Sequence, residues 1–311
     1  MSLFKLSNNK LFPIKEKKVL LEKDMQSLTE TNLENIFGYK FVSTELRIDT
    51  FRFDTLAWDD ESSSFVIIEY KKDRSFSVVD QGFAYLSVLL NRKADFILEY
   101  NSKFPNKQLN KEDIDWSQSR VVFIAPFFTS YQINSINFRD MPFDLYEFNM
   151  YENDTVAYDK IEANNPSESI DSITAGGEIE KVSREIKTYS VEDHFKKGWE
   201  RSLELFEILD ERILELDPNI KRSPQKVYIG YKIDNSVLFS LVSYKSKVKV
   251  ELYRVKPNDL NDPEERTSYQ KNSYKFYGKH VTEFEVREEE DIEYALMLVK
   301  QVYKKFVGEK I

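Results

Sequence analysis

The chain has no cysteine among its 311 residues. That absence removes disulfides, thiolate nucleophiles and cysteine-ligated zinc, and it fits a reducing compartment, so a cytoplasmic location is expected. Histidine is nearly absent too. His194 and His280 are the only two, far apart and without partner histidines, so each reads as a surface or capping residue rather than a metal ligand. With 8 Gly and 9 Pro the chain is neither low-complexity nor fibrous. No stretch approaches the run of about 18 apolar residues that a membrane span needs. The opening "MSLFKLSNNKLFPIKEKK" lacks the apolar core and small-residue cleavage site of a signal peptide. A basic excess is missing as well: 54 acidic against 45 basic side chains leave a net charge of −9. This lowers the expectation of a non-specific nucleic-acid binder. No glycine-rich phosphate loop and no Ser-His-Asp arrangement is visible.

What is present is ample core material. Hydrophobic residues make up 41% and aromatics 14%, with 23 Phe and 18 Tyr, and at roughly 100–200 residues per domain the length predicts two domains. Charge is uneven. Lys5, Lys10, Lys15, Lys17 and Lys18 face one acid, Glu16, near the start, whereas residues 151–180 are strongly acidic. Net charge therefore leaves room for a local basic groove.

Residues 17–37 read as one helix, with Leu21, Met25 and Leu28 on an apolar stripe and Gly38 as its stop. Residues 40–58 read as extended, and "DDESSS" as the turn into a strand, Phe65–Lys71. Ser77 and Asp80 have capping-box spacing and open a helix carrying Val79, Phe83, Leu86 and Leu90. "KADFILEY" (93–100) is expected to be a strand, 120–128 a central strand buried on both faces, and 144–161 a hairpin turning at "END". The polar stretch 163–188, with the chain's Gly-Gly pair, reads as a linker. It would join a first domain, 1–162, to a second, 189–311, with a long helix over 191–215 opened by Ser190 and Asp193, three strands, and a final helix near 288–306. The expected fold class is α/β: an N-terminal mixed sheet flanked by helices, followed by a separate α+β domain.

The stretch "FVIIEYKK" (65–72) sets Glu69 and Lys71 two places apart at the end of an apolar strand. Both then project from the same face. With the turn centred near residues 61 and 62, the antiparallel register puts Asp54 opposite Glu69; a slip of one residue would turn Asp54 to the other face. Two adjacent carboxylates repel unless a cation lies between them, and a hard divalent ion supplies that charge while binding phosphate oxygens. A lysine beside it can orient water or offset charge on a phosphoryl group.

Asp54, then Glu69-Tyr70-Lys71, then Gln81 in "SVVDQGFAYL" resemble the PD-(D/E)XK nuclease superfamily, and within it the NucS-type endonucleases, over roughly residues 18–160. The resemblance implies a restriction-endonuclease-like fold and a metal-dependent deoxyribonuclease acting on DNA. In such enzymes Asp54 and Glu69 would bind Mg²⁺ or Mn²⁺, Lys71 would assist the water, and Gln81 would support the site. The family's helix glutamate would be Glu22 by spacing, with Glu34 as the alternative. Tyr85, four residues past Gln81, reads as core or site wall. NucS-type enzymes carry a DNA-binding and dimerisation domain ahead of the nuclease, whereas here a different domain follows it. The C-terminal stretch resembles a nuclease-associated domain of unsettled role, so DNA structure preference does not transfer, and a homodimer is compatible with the pattern.

Two other readings stay open. One is a catalytically silent nuclease-like module that binds nucleic acid or protein, and the other is a nuclease of a restriction or defence system. The stretch "RTSYQKNSYKFYGKH" (266–280) interleaves cations and aromatics as single-strand binding surfaces do, although an ordinary loop is the plainer reading.

Overall fold

Asn8 and Asn9 sit at φ 51° and 59°, the left-handed pair that closes a two-residue hairpin with the twist of its strands. Leu3–Ser7 (β1) and Lys10–Ile14 (β2) pair across it. The register stacks Phe4 on Pro13 and Leu6 on Leu11, which puts these four residues on one face, and Phe4, Leu6 and Leu11 are all exposed. These positions come from a computed structural model that describes residues 3–18, 21–72, 77–138, 141–162, 178–274 and 278–308. Residues 163–177 of the expected linker and Lys275–Tyr277 of the basic–aromatic stretch lie outside the described residues. The chain divides into two units, Met1–Thr188 and Tyr189–Ile311. No described helix is long and apolar enough to cross a membrane.

In the first unit, Glu16–Lys17 (β3) precedes two helices, Glu22–Thr31 (α1) and Leu33–Phe37 (α2). The single helix expected over 17–37 is thus broken at Asn32, which lies between α1 and α2 with φ −118° and ψ 18°. Leu21 is the N-cap and exposed, while Met25 and Phe37 are buried. Gly38 ends α2 at φ 76°, a conformation open to glycine at no steric cost. Lys40–Ile48 (β4), Phe51–Asp59 (β5) and Ser64–Tyr70 (β6) form an antiparallel meander. Val78–Asn91 (α3) and Lys93–Lys103 (α4) follow, then Arg120–Ala125 (β7), Ser130–Ser135 (α5), Phe143–Tyr151 (β8) and Val156–Lys160 (β9).

The sheet runs β3-β8-β7-β6-β5-β4, with β9 also paired to β8. β6, β7 and β8 are mutually parallel and the other pairs antiparallel, so the sheet is mixed. Every residue of β6 is buried, as are Val121 to Ala125. These strands therefore lack alternation because helices cover both faces. One face packs Phe53, Phe65, Ile67 and Phe123 with residues of α3 and α4; the other packs Val66, Ile68, Tyr70 and Val122 with residues of α1 and α2. Each such side chain contributes roughly 1.5–3 kcal/mol on burial.

Residues 93–100 form a helix, α4, and not the expected strand. Phe96 and Tyr100, four apart, are both fully buried while Leu98 is 70% exposed, the signature of period 3.6 that a short apolar run hides. The latter part of the expected linker, Glu178–Glu185 (α6), is also helical. Val182 and Ile186 are buried in the same core as Leu86 and Phe143, and apolar burial outweighs the polar composition around them.

The second unit starts with Ser190 and Asp193 bonded at 2.7 and 2.9 Å. They open only a short 3₁₀ turn, Glu192–His194; the long helix, Glu200–Leu214 (α7), begins later than expected, after Gly198 at φ 88°. Then come Lys221–Pro224 (β10), Ile229–Ile233 (β11), Ser236–Tyr244 (β12), Lys247–Tyr253 (β13), Ser268–Tyr269 (β14), Val281–Val286 (β15) and Glu290–Gly308 (α8). The strands make an antiparallel sheet in the order β10-β11-β12-β13-β15-β14. Residues of α7 and α8 share one core with it, so this unit is α+β.

One close approach governs how α3 lies on the sheet. A Cβ built on Gly82 would stand 2.5 Å from the Phe143 ring, so only glycine lets the helix sit this low. Helix propensity alone favours alanine by about 1 kcal/mol, yet Gly82→Ala is expected to lose roughly 1–2 kcal/mol in urea unfolding through overpacking. Phe143→Leu in the same chain should recover part of the loss. Equal stability of Gly82→Ala and the parent would show that the approach is not tight.

Candidate active site

The β5–β6 ladder pairs Asp59 with Ser64 and continues in step to Thr55 with Ile68. This is the register inferred from the turn, and the ladder ends there, one place short of Asp54 and Glu69. The Tyr70 backbone N–H donates to Asp54 Oδ2 at 3.1 Å, which ties the aspartate to the end of β6. The same end is held on its other side, where the Lys71 N–H donates to the Ile124 carbonyl at 2.9 Å.

Glu69 is only 3% exposed, and a buried carboxylate needs donors. It has them. Its Oε1 accepts from Lys71 Nζ and from Gln81 Nε2, both at 2.7 Å. The Tyr85 hydroxyl donates to Oε2 at 3.0 Å and accepts in turn from Gln81 Nε2 at 2.7 Å. Gln81 and Tyr85 are four apart on α3, which is capped by the Ser77 hydroxyl accepting from the Asp80 N–H at 3.2 Å. A single helical face thus brings both groups onto one carboxylate.

Asp54 is less fortunate. Burial first, and then the charge of Glu69, push its pKa up to about 7; the Tyr70 N–H and Lys71 pull the other way without winning. Burial, and then Glu69, likewise hold the Tyr85 hydroxyl above the usual phenol range. Glu45 adds to the negative field at Asp54. It sits in β4 at φ 53° and pairs with Arg52 at 2.8 Å and Lys23 at 3.6 Å.

Glu22, at the first turn of α1, accepts the Lys72 N–H at 2.8 Å, so its carboxylate lies at the end of β6 with the others. Glu34, the alternative helix glutamate, is an exposed residue of α2. Four residues beyond Glu22, Gln26 Nε2 donates to the Asp54 carbonyl at 2.8 Å, to Thr44 Oγ1 at 3.0 Å and to Glu30 Oε1 at 3.0 Å. Glu30 also accepts from Thr55 Oγ1 at 2.6 Å. Glu22, Gln26 and Glu30 therefore form a polar stripe at i, i+4 and i+8 facing β5 and β6. Gln26, Glu45 and the bonding role of Tyr85 are not evident from sequence reasoning, although the helical spacing of Gln26 from Glu22 and of Tyr85 from Gln81 was available as a signal. Among the described residues no group of three or more His, Asp or Glu side chains is arranged to hold a metal ion. The site thus offers a carboxylate pair, a lysine and two neutral donors.

The fold and site define a two-unit α/β protein with a charged, donor-rich site at the end of a buried strand. The chain belongs to the same family as an uncharacterized protein of Haemophilus influenzae, with which it is 36% identical over 306 residues, 98% of this chain and 100% of that one. The model of a domain of unknown function (DUF5655) matches residues 191–305, within the second unit. Among solved structures, a repair endonuclease from Pyrococcus abyssi aligns with 37% of this chain and 42% of its own, at 17% identity and a TM-score of 0.21. EndoMS in its apo form aligns with 39% of this chain and 43% of its own, at 21% identity and a TM-score of 0.25. An EndoMS–dsDNA complex gives 19% identity and a TM-score of 0.20. The chain thus spans less than half the length of these structures, and at such TM-scores the alignments carry no weight for activity.

The raised pKa of Asp54 has a consequence for stability. Its folded value, about 7, lies above its ordinary value of 3.8, so the fold is favoured by protonated Asp54 and loses that stability as pH climbs from about 4 through 7. Asp54→Asn removes the titration. In EDTA, the stability of Asp54→Asn relative to the parent is expected to rise by about 2 kcal/mol between about pH 5 and pH 8.5 in urea unfolding. A difference that stays flat across that range would contradict a carboxyl strained by burial and by Glu69.

Proposed function

We propose that the first unit is a metal-dependent nuclease that hydrolyses phosphodiester bonds in DNA, with the second unit in an accessory role. The observation that carries this reading is the Glu69–Lys71 pair: a buried carboxylate and an ammonium 2.7 Å apart, beside an aspartate whose ionisation is opposed by its surroundings. A purely structural ion pair would have no need of Asp54. A divalent cation would give it one, because a charge of +2 offsets two carboxylates that otherwise repel.

The residues suit such an ion. Asp54 and Glu69 are oxygen donors, and Mg²⁺ is commonly held by one or two carboxylates while keeping several waters; Mn²⁺ takes similar ligands. Bound there, the metal would polarise a phosphate oxygen and lower the pKa of a water. The remaining chemistry belongs to the protein. Lys71 carries the positive charge that orients a nucleophilic water or offsets charge on the reacting phosphoryl group. Gln81 and Tyr85 fix the Glu69 carboxylate so that it cannot swing away when the lysine turns to substrate. Glu22 holds the Lys72 N–H and adds a third carboxylate at the strand end.

Cleavage of a panel of single-stranded, duplex, branched and mismatched DNA, with RNA beside it, is expected to require Mg²⁺ or Mn²⁺ and to stop in EDTA. Glu69→Ala and Lys71→Ala should each lower the rate by about 10²-fold or more, the scale of losing one positioned group, while retaining the parent's circular dichroism. Cleavage unchanged in both variants would rule this site out. No cleavage of any substrate by the parent, with binding indifferent to EDTA, would favour a silent interaction module.

A further inference from the structure

Among the described strands none pairs with the β1–β2 hairpin, which forms a sheet of its own. Nor does any of its residues belong to a hydrophobic core of the described residues. An isolated two-stranded hairpin is at best marginally stable in water; independent stability takes three or more strands with an apolar face, or packing against a helix. This hairpin turns Phe4, Leu6 and Leu11, which are 49%, 67% and 64% exposed, to one face together with Pro13. Lys5, Ser7, Lys10 and Phe12 lie on the opposite face. A contiguous apolar patch on so slight a support marks a contact surface.

Its two edges differ. Asn8 and Asn9 make a two-residue turn, which closes on a hydrogen-bonded pair, Ser7 with Lys10. Hydrogen-bonded and open pairs then alternate along the ladder, so Leu6–Leu11 and Phe4–Pro13 direct their backbone groups away from the hairpin. On β2 one of these outward positions is Pro13, which has no N–H to offer and blunts that edge. On β1 the outward positions are Phe4 and Leu6, and both N–H groups can extend the ladder. A further strand therefore fits beside β1 and not beside β2.

We propose that a second copy of this chain occupies that edge, with β1 pairing antiparallel to β1 of the other copy across a two-fold axis. The product is a four-stranded sheet, enough strands for stability. Pro13 blunts both of its outer edges, so the contact closes at two copies instead of growing into a fibre. A register centred on Phe4 sets Phe4 against its counterpart and Lys5 against Leu3, whereas one centred on Lys5 would oppose two lysines. Charge favours the same partner. Residues 1–18 carry five lysines and one glutamate, so the net charge of −9 leaves −13 on the remainder, and each basic hairpin meets an acidic copy. The strand has only five residues; an interface built on it stays under the roughly 1,200 Å² of stable complexes, and the dimer is weak and reversible. None of this depends on the nuclease reading of the first unit.

The test is sedimentation velocity of the full chain in EDTA from about 1 to 300 µM, the range suited to so small an interface, where a monomer–dimer equilibrium is expected. Phe4→Pro removes the N–H that each copy donates across the two-fold axis. It should weaken dimerisation roughly 5- to 150-fold, the worth of two hydrogen bonds. Leu11→Pro puts the same backbone restriction on the blunted edge and should change it by less than about threefold. Because the chain has no cysteine, Phe4→Cys reports the register. Directly opposed Cα atoms about 5.5 Å apart lie within disulfide reach, so mild oxidation should link two copies of Phe4→Cys and not of Leu11→Cys. A chain that stays monomeric throughout would leave the hairpin to a different partner and overturn the proposal. So would Phe4→Pro dimerising like the parent, Leu11→Pro weakening it as much as Phe4→Pro does, or no link in Phe4→Cys.

Discussion

Glu69 is a carboxylate with almost no access to water, and the end of β6 is organised around supplying it with hydrogen-bond donors. Among the described residues three side chains supply donors to it: Lys71 from just past the end of β6, and Gln81 and Tyr85 from α3. Each contact depends on something structural. Lys71 reaches back because it follows Glu69 by two places and its backbone is still tied to β7 at the Ile124 carbonyl. Gln81 and Tyr85 reach down because four residues of a helix separate them, and because Gly82 lets that helix settle against Phe143. The packing of α3 and the polarity of the site are therefore one problem solved together.

Asp54 is the unresolved member of that arrangement. Among the described residues its carboxylate accepts the Tyr70 backbone N–H while Glu69 and Glu45 add negative charge around it. Protein interiors tolerate such a group when a ligand relieves it, and sites of this kind are where strongly shifted carboxylates collect. The polar stripe Glu22, Gln26 and Glu30 on α1 serves the same region from the other side of the sheet, holding the backbone of Asp54 and Lys72. The second unit shows the opposite economy. Its acids Glu251 on β13 and Glu283 on β15 are matched by Lys249.

Much of the site was legible because strand and helix periods are rigid rules. The two-residue spacing of Glu69 and Lys71, the register of the turn between β5 and β6, and the cap at Ser77 all follow from local geometry. Short apolar runs were less informative. "KADFILEY" fits a strand or a helix by composition, and the choice fell to Phe96 and Tyr100 finding a common core. Glu178–Glu185 looks like linker by polarity, yet Val182 and Ile186 are buried within the same unit. α7 starts later than the Ser190–Asp193 spacing suggests, because those two residues close a local turn that stops at His194.

Which residues can share a face is set by their order along the chain, since periods of 2 and 3.6 are properties of the backbone alone. Packing selects which faces meet: that Tyr85 bonds Glu69 as well as lining the core, and that Gln26 and Glu45 join Asp54. Those contacts join segments distant in the chain, and their energies depend on burial, which exists only once sheet and helices have packed.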